Sequence, residues 1–202
     1  MFNVRNIDKV LVLVFLVLLI FGILTLYSAS SQKQADTGIN FVFTQGIWIF
    51  GGLFLVCLIT NIRYNLFLSI AYILYGVQII FLISVLVTGK MALGAQRWIS
   101  IGGLSFQPSE FAKIIIILTL ARMIGDNPQK LKTIKGLIAP VLITLLPMVL
   151  IFKQPDLGTA IVFLPVFLSM AWVGGVRLKY FLITIFSGVL SVPFFWYFLK
   201  DY

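Results

Sequence analysis

Few residues in this chain can do chemistry, and they fall in two short stretches. The first is Arg97-Trp98-Ile99-Ser100-Ile101-Gly102-Gly103-Leu104-Ser105-Phe106-Gln107-Pro108-Ser109-Glu110-Phe111-Ala112-Lys113. Pro108 predicts a helix start, because the first helical position has no hydrogen bond for the ring to remove. Glu110 then lies in the first turn, where a carboxylate complements the positive end of the helix dipole. Lys113 follows three residues later on the same helical face, within pairing reach. A dipole-matching acid beside a lysine that snorkels to the surface would look the same. Two facts favour a function. Glu110 is the sole glutamate, and a charged side chain inside a membrane span costs roughly 2.5–3.5 kcal/mol, so such groups usually face a cavity or a partner. Arg97 offers a planar fork to phosphate, Trp98 suits the membrane interface, and Gly102 and Gly103 permit a tight, re-entrant turn. These residues together describe a site for an anionic headgroup.

The second stretch is Lys153-Gln154-Pro155-Asp156-Leu157-Gly158-Thr159-Ala160. Asp156, directly before an apolar run, reads first as a helix N-cap. Its functional reading requires that it face the Glu110 region. Pro140, Pro147, Pro165 and Pro193 fall inside apolar runs, which predicts kinked or broken helices. Transporters place such breaks near binding sites.

The elements that must hold these residues are membrane helices. Of the 202 residues, 61% are hydrophobic and 10% charged, with mean hydropathy +1.11; soluble domains carry about 25% charged residues. Neither a soluble domain nor a disordered chain fits. Seven apolar runs are predicted to span: Val10–Tyr27, Phe41–Thr60, Leu66–Thr88, Pro108–Met123, Gly136–Phe152, Leu157–Val173 and Tyr180–Leu199. They approach the roughly 20 residues a bilayer requires, and the absence of alternation argues against an outer-membrane barrel. Ser28-Ala29-Ser30 resembles a cleavage site, but the first run exceeds a signal peptide's apolar core of about 7–15 residues. It reads as an uncleaved helix. No repeat or long linker divides the chain, so residues 1–202 read as one membrane domain.

Alternating the spans from a cytoplasmic N-terminus puts Arg5, Lys9, Arg63, Arg122, Lys130, Lys132, Lys135, Arg177 and Lys179 inside. Lys33, Lys90, Arg97, Lys153 and Lys200 fall outside. Nine against five favours this orientation, and it sets both chemical stretches on the extracytoplasmic face. The chain has no histidine, which excludes His-based triads, metal sites and proton shuttles. Cys57 alone cannot form an internal disulfide and reads as a packing residue. The net charge of +9 is scattered between spans, which points to lipid headgroups and topology, not nucleic acid.

Gly94-Ala95-Gln96-Arg97-Trp98-Ile99, Phe106-Gln107-Pro108-Ser109-Glu110-Phe111-Ala112-Lys113 and Gln154-Pro155-Asp156-Leu157-Gly158-Thr159-Ala160 resemble signature stretches of the SEDS family (shape, elongation, division and sporulation). The likeness covers essentially the whole chain, and Leu157 after Asp156 is closer to the rod-shape (RodA-like) branch than to the division branch. The resemblance implies an all-α polytopic fold of about ten transmembrane helices in the bacterial cytoplasmic membrane, of which about seven are here. It implies a peptidoglycan glycosyltransferase for cell elongation and shape that polymerises undecaprenyl-linked lipid II, working with a class B penicillin-binding protein. Arg97, Trp98, Gln107, Ser109 and Lys113 are then candidates for substrate contact. Glu110, Lys113 and Asp156 would act in support, and Glu110 and Asp156 are candidates to help hold a divalent cation, magnesium or manganese.

The family's chains are nearly twice as long, and their proposed catalytic aspartate lies in a large outer loop after the seventh helix. This sequence stops at Lys200-Asp201-Tyr202, where that loop would begin, and Asp201 does not take its place. The expectation is the N-terminal part of such an enzyme, inactive alone. A flippase or other transporter for lipid-linked precursors, and a scaffold of the wall-elongation machinery without chemistry of its own, are the competing readings.

Overall fold

The structure, a computed structural model, describes residues 8–37, 40–88, 90–92, 95–101, 104–186 and 188. They belong to two compact units, Met1–Tyr64 and Asn65–Tyr202. In the first, α1 (Lys9–Thr37) and α2 (Phe41–Thr60) pack against each other. Asp8 caps α1 by accepting from the Val10 and Leu11 amides at 2.9 and 3.2 Å, and Asn40 caps α2 through the Phe43 amide at 2.9 Å. The first run was expected to end at Tyr27; α1 instead continues to Thr37, because no glycine or proline interrupts residues 28–37.

The second unit holds α3 (Tyr64–Ser69, all but its first residue), α4 (Ala71–Thr88), strands β1 (Lys90–Ala92), β2 (Ala95–Ile101) and β3 (Leu104–Phe106), α5 (Pro108–Asp126), a 3-10 turn (Pro128–Lys132), α6 (Ile134–Phe152) and α7 (Leu157–Val173). Residues 178–186 are helical again, and the rest of the expected seventh span, with Pro193 and residues 200–202, lies outside the described residues. The expected span Leu66–Thr88 is divided at Ile70, where the Ser69 hydroxyl donates to the Leu66 carbonyl at 2.7 Å and the Ile70 amide shares that acceptor at 3.2 Å.

Among the described residues, three helices are long and apolar enough to cross a bilayer, Lys9–Ser30 within α1, Phe41–Thr60 and Ile134–Phe152; Ala71–Val87 and Leu157–Val173 are shorter apolar helices. The fold is that of an all-α polytopic membrane protein with one small sheet. In the second unit the helices bury narrow stripes. Leu137, Pro140, Thr144, Pro147 and Ile151 are the buried stripe of α6, and its Leu137 and Ile151 share one core cluster with Ala160, Phe163, Phe167 and Ala171 of α7 and Ala112, Ile116 and Leu120 of α5. Spacings of three and four put each set on one helical face, leaving the other apolar faces for lipid.

The prolines do not break these helices: α6 runs through Pro140 and Pro147, and α7 through Pro165. Pro147 has no amide hydrogen, so it cannot serve the carbonyl four residues earlier, that of Ile143. The Tyr75 hydroxyl of α4 donates to that carbonyl at 2.9 Å. A backbone acceptor left bare in a bilayer would cost several kcal/mol, so Tyr75 lets α6 keep its proline.

Candidate functional site

The stretch expected to be a polar loop with a re-entrant turn forms a three-stranded antiparallel meander, ordered β1-β2-β3. Lys90 pairs with Trp98 and Ala92 with Ala95; Ile99 pairs with Phe106 and Ile101 with Leu104. Gly94, Gly102 and Gly103 lie outside the described residues. Their types gave the missed signal, since Gly-Gly between alternating polar and apolar residues marks a hairpin. Phe106 fastens the sheet to the helices, its ring 6.3 Å from Phe81 of α4 and 4.8 Å from Phe111 of α5.

The meander delivers Arg97 to Asp156. Arg97 Nη1 lies 3.6 Å from Asp156 Oδ1, and Nη2 donates to the Pro155 carbonyl. Asp156 is buried, at 4% exposure, which demands a partner for its charge. Gln107 supplies another contact, its Nε2 donating to Asp156 Oδ2 at 3.1 Å and to Ser109 Oγ at 3.0 Å. Asp156 is also the expected N-cap, its Oδ1 accepting from the Thr159 amide at 3.2 Å. The cap and the site are therefore the same residue. Trp98 is half-buried on β2 beside Arg97.

Glu110 and Lys113 pair as the spacing required: Lys113 Nζ donates to Oε1 at 2.9 Å and to Oε2 at 3.0 Å. The pair sits on a more open face than the first group, with Glu110 52% and Lys113 30% exposed. Arg97, Gln107, Ser109 and Asp156 thus form one connected group. Glu110 and Lys113 form a second, in the first two turns of α5.

Two residues beneath this end were missed. Gln78 of α4 is buried and donates to the Pro108 carbonyl at 2.8 Å; Gln154 is buried and donates to the Leu82 carbonyl at 2.9 Å. They tie the start of α5 and the turn before α7 to α4. The signal was available, because a lone amide such as Gln78 in an apolar span must find a partner. Gln154 Oε1 and Arg97 Nε are buried without a hydrogen-bond partner among the described residues. Buried polar atoms of this kind ordinarily have one, so this end of the unit has unmet capacity on both the donor and the acceptor side.

Among the described residues, no three histidine, cysteine, aspartate or glutamate side chains gather as a metal cage. Glu110 and Asp156 each face a cation of the protein instead.

The RodA peptidoglycan glycosyltransferase of Treponema pallidum is 34% identical over 192 residues, covering 95% of this chain and 44% of that protein. A probable FtsW peptidoglycan glycosyltransferase of Trichlorobacter lovleyi is 33% identical, covering 96% and 51%. The chain spans about half the length of these curated relatives. The crystal structure of the Thermus thermophilus rod shape determining protein RodA superposes with a TM-score of 0.78 at 30% identity, over 94% of this chain and 61% of that one. A chain from a structure titled for a peptidoglycan synthase complex that coordinates polymerisation and crosslinking superposes at 0.80 and 31% identity, over 93% and 54%. The family described as cell cycle proteins, FtsW, RodA and SpoVE, matches residues 8–202. With residues 8–202 matched and a signature in each of its chemical stretches, this bacterial membrane chain belongs to that family, the SEDS family.

Proposed function

We propose that the chain is the N-terminal portion of a rod-shape-branch peptidoglycan glycosyltransferase that polymerises lipid II beside a class B penicillin-binding protein. The observation that carries this reading is the joining of Arg97, Gln107, Ser109 and Asp156 into one polar group at the membrane end where α5 and α7 begin. In the reaction, the 4-hydroxyl of one lipid-linked disaccharide attacks the anomeric carbon of another, and undecaprenyl pyrophosphate departs. The departing charge needs fixed cations. Arg97, aimed by Asp156 and Gln107, and Lys113, held by Glu110, are placed to supply them. Glu110 or Asp156 would help hold a magnesium or manganese ion at this end, and the ion would supply further positive charge for the departing pyrophosphate.

The test uses a full-length protein that contains this sequence. Glu110→Ala and Lys113→Ala are each expected to lower glycan yield from lipid II about tenfold or more, with membrane insertion unchanged. The double variant should lose much less than the two single losses combined, because the members of one ion pair are coupled. Full polymer yield from both single variants would reduce the pair to a helix-start feature and remove it from the reaction.

We further propose that the N-terminus is cytoplasmic, which sets both polar groups on the outer face. In a Cys57→Ser background, Lys153→Cys is expected to react with a membrane-impermeant maleimide in intact cells, and Asn127→Cys is not. The reverse pattern would overturn the orientation and place Arg97 on the wrong side for an outward-facing substrate.

A further inference from the structure

The opposite end of the second unit, where α5 ends and α6 begins, carries a separate concentration of charge. Lys130 and Lys132 lie on the 3-10 turn, Lys135 in the first turn of α6, and all three are exposed. The turn after α7 joins them. A methyl group on Gly174 would come within 2.8 Å of Leu131, and Val176 shares the core cluster with Leu131, so exposed Arg177 and Lys179 emerge at the same end. None of these five cations has a carboxylate within 4 Å among the described residues. The acid at this end, Asp126, is taken by Arg122, whose Nε donates to its Oδ2 at 2.8 Å and whose Nη1 donates to the Leu68 carbonyl at 3.0 Å. The first turn of α6 holds no acid and instead carries Lys135, which adds to the positive end of the helix dipole.

Within this patch lies a cavity of about 240 Å³, lined by Tyr72, Asp126, Asn127, Lys130, Gly136 and Pro140 among others. Sites for drug-sized ligands span roughly 300–1,000 Å³, so there is room here for a headgroup and not for a glycan. The position is interfacial, because α6 is one of the bilayer-length helices and the cavity sits against its first residues. Basic pockets between membrane helices at such a boundary suit lipid phosphates.

We propose that this cavity is a binding site for the headgroup of an anionic phospholipid with a hydroxylated headgroup, of the phosphatidylglycerol type. The phosphodiester takes the Lys130 ammonium and the Asn127 amide, with Lys132, Lys135, Arg177 and Lys179 supplying the surrounding positive field. The headgroup hydroxyls donate to Asp126, whose carboxylate Arg122 holds in place. The acyl chains leave past Tyr72 and Ala139, which line the cavity and are exposed. Orientation-setting charge alone explains lysines at a loop; it does not explain a cavity with a pinned acid among them. The site is at the other end of α5 from Arg97 and Asp156 and does not depend on the proposed reaction.

Native mass spectrometry of a full-length protein that contains this sequence, in detergent and titrated with phosphatidylglycerol or phosphatidylcholine, tests the site. Phosphatidylglycerol should bind at least about tenfold more tightly, with one tightest site. Lys130→Gln should weaken that site about fivefold, the effect of one basic group at an anionic surface. The combined Lys130→Gln, Lys132→Gln and Lys135→Gln variant should abolish the preference. Arg177→Gln with Lys179→Gln, which leaves the cavity lining intact, should weaken binding and keep one site. Glycerol 3-phosphate, a headgroup without chains, should not displace the lipid at equal concentration. Equal binding of the two lipids, an unchanged preference in the triple variant, or displacement by glycerol 3-phosphate would each overturn the proposal; equal binding would leave the cations to an acidic segment of a protein partner.

Discussion

Replacing Asp156 with alanine is expected to lower glycan polymerisation by a full-length protein containing this chain by about 100-fold or more. Asp156 holds three things at once: the charge of Arg97, the amide of Gln107 and the first turn of α7. Alanine would leave the Arg97 guanidinium with only the Pro155 carbonyl, and its Nε already lacks a partner among the described residues. The fork would no longer be aimed, and loss of one fixed donor at a developing charge commonly costs about 100- to 1,000-fold in rate. Part of the effect is structural, since losing an N-cap costs about 1 kcal/mol. Stranding Arg97 costs less than breaking a fully buried pair, because its side chain is 35% exposed and keeps some water.

The Asp156→Asn variant separates the two contributions. Asparagine caps a helix as well as aspartate does, and its oxygen can still accept from the Thr159 amide. It carries no charge for Arg97. The expected result is a protein that stays monodisperse in detergent to the same temperature as wild type while polymer yield falls at least about tenfold. Arg97→Lys should behave similarly, because an ammonium keeps the charge and loses the planar fork. Full polymer yield from Asp156→Asn would reduce Asp156 to a helix cap and break its link to the reaction.

What was legible in the sequence was what local geometry decides. Glu110 and Lys113 are three residues apart on one helix, so their pairing follows once Pro108 fixes the helix start. Asp156 declared itself as a cap by residue type and by the apolar run behind it. Arg97 meeting Asp156 was not legible, because the two are far apart in sequence and are joined only by folding of the β1-β2-β3 meander. Strands of three residues leave little periodicity to read. That α6 and α7 continue through their prolines was not legible for a related reason. Their cost was read from α6 and α7 alone, whereas the Tyr75 hydroxyl that serves the Ile143 carbonyl belongs to α4. Gln78 and Gln154 likewise act across helices, and one sequence shows that such amides need partners without naming them.

The largest effect on stability is expected far from the polar group, at Gly136. A methyl group there would lie 1.8 Å from the Lys130 carbonyl oxygen and 2.4 Å from its carbon. Both are backbone atoms, so no side-chain rotation relieves the clash. The 3-10 turn would have to lift away from α6, and its other contacts resist that movement. Leu131 is 3% exposed and packs into the core with Val176. The Thr133 hydroxyl accepts from the Gly136 amide at 3.2 Å while donating to the Lys130 carbonyl at 2.9 Å, so the cap and the turn would be lost together. Overpacking against an immovable neighbour, with a cap lost in addition, belongs to the severe class of single substitutions, and Gly136→Ala is expected to cost roughly 3 kcal/mol or more. Gly125→Ala is the matched control, since it sits in the last turn of α5 with nothing within 4 Å of an added methyl. It should leave stability unchanged or raise it by up to about 1 kcal/mol, the helical advantage of alanine over glycine. Heating the detergent-solubilised variants and following the monodisperse fraction by size exclusion distinguishes them. Gly136→Ala should aggregate well below wild type and Gly125→Ala should not. Matching midpoints for the two variants would mean that the turn does not press on α6 as closely as these distances require, and that the lysines on it are held by something other than this contact.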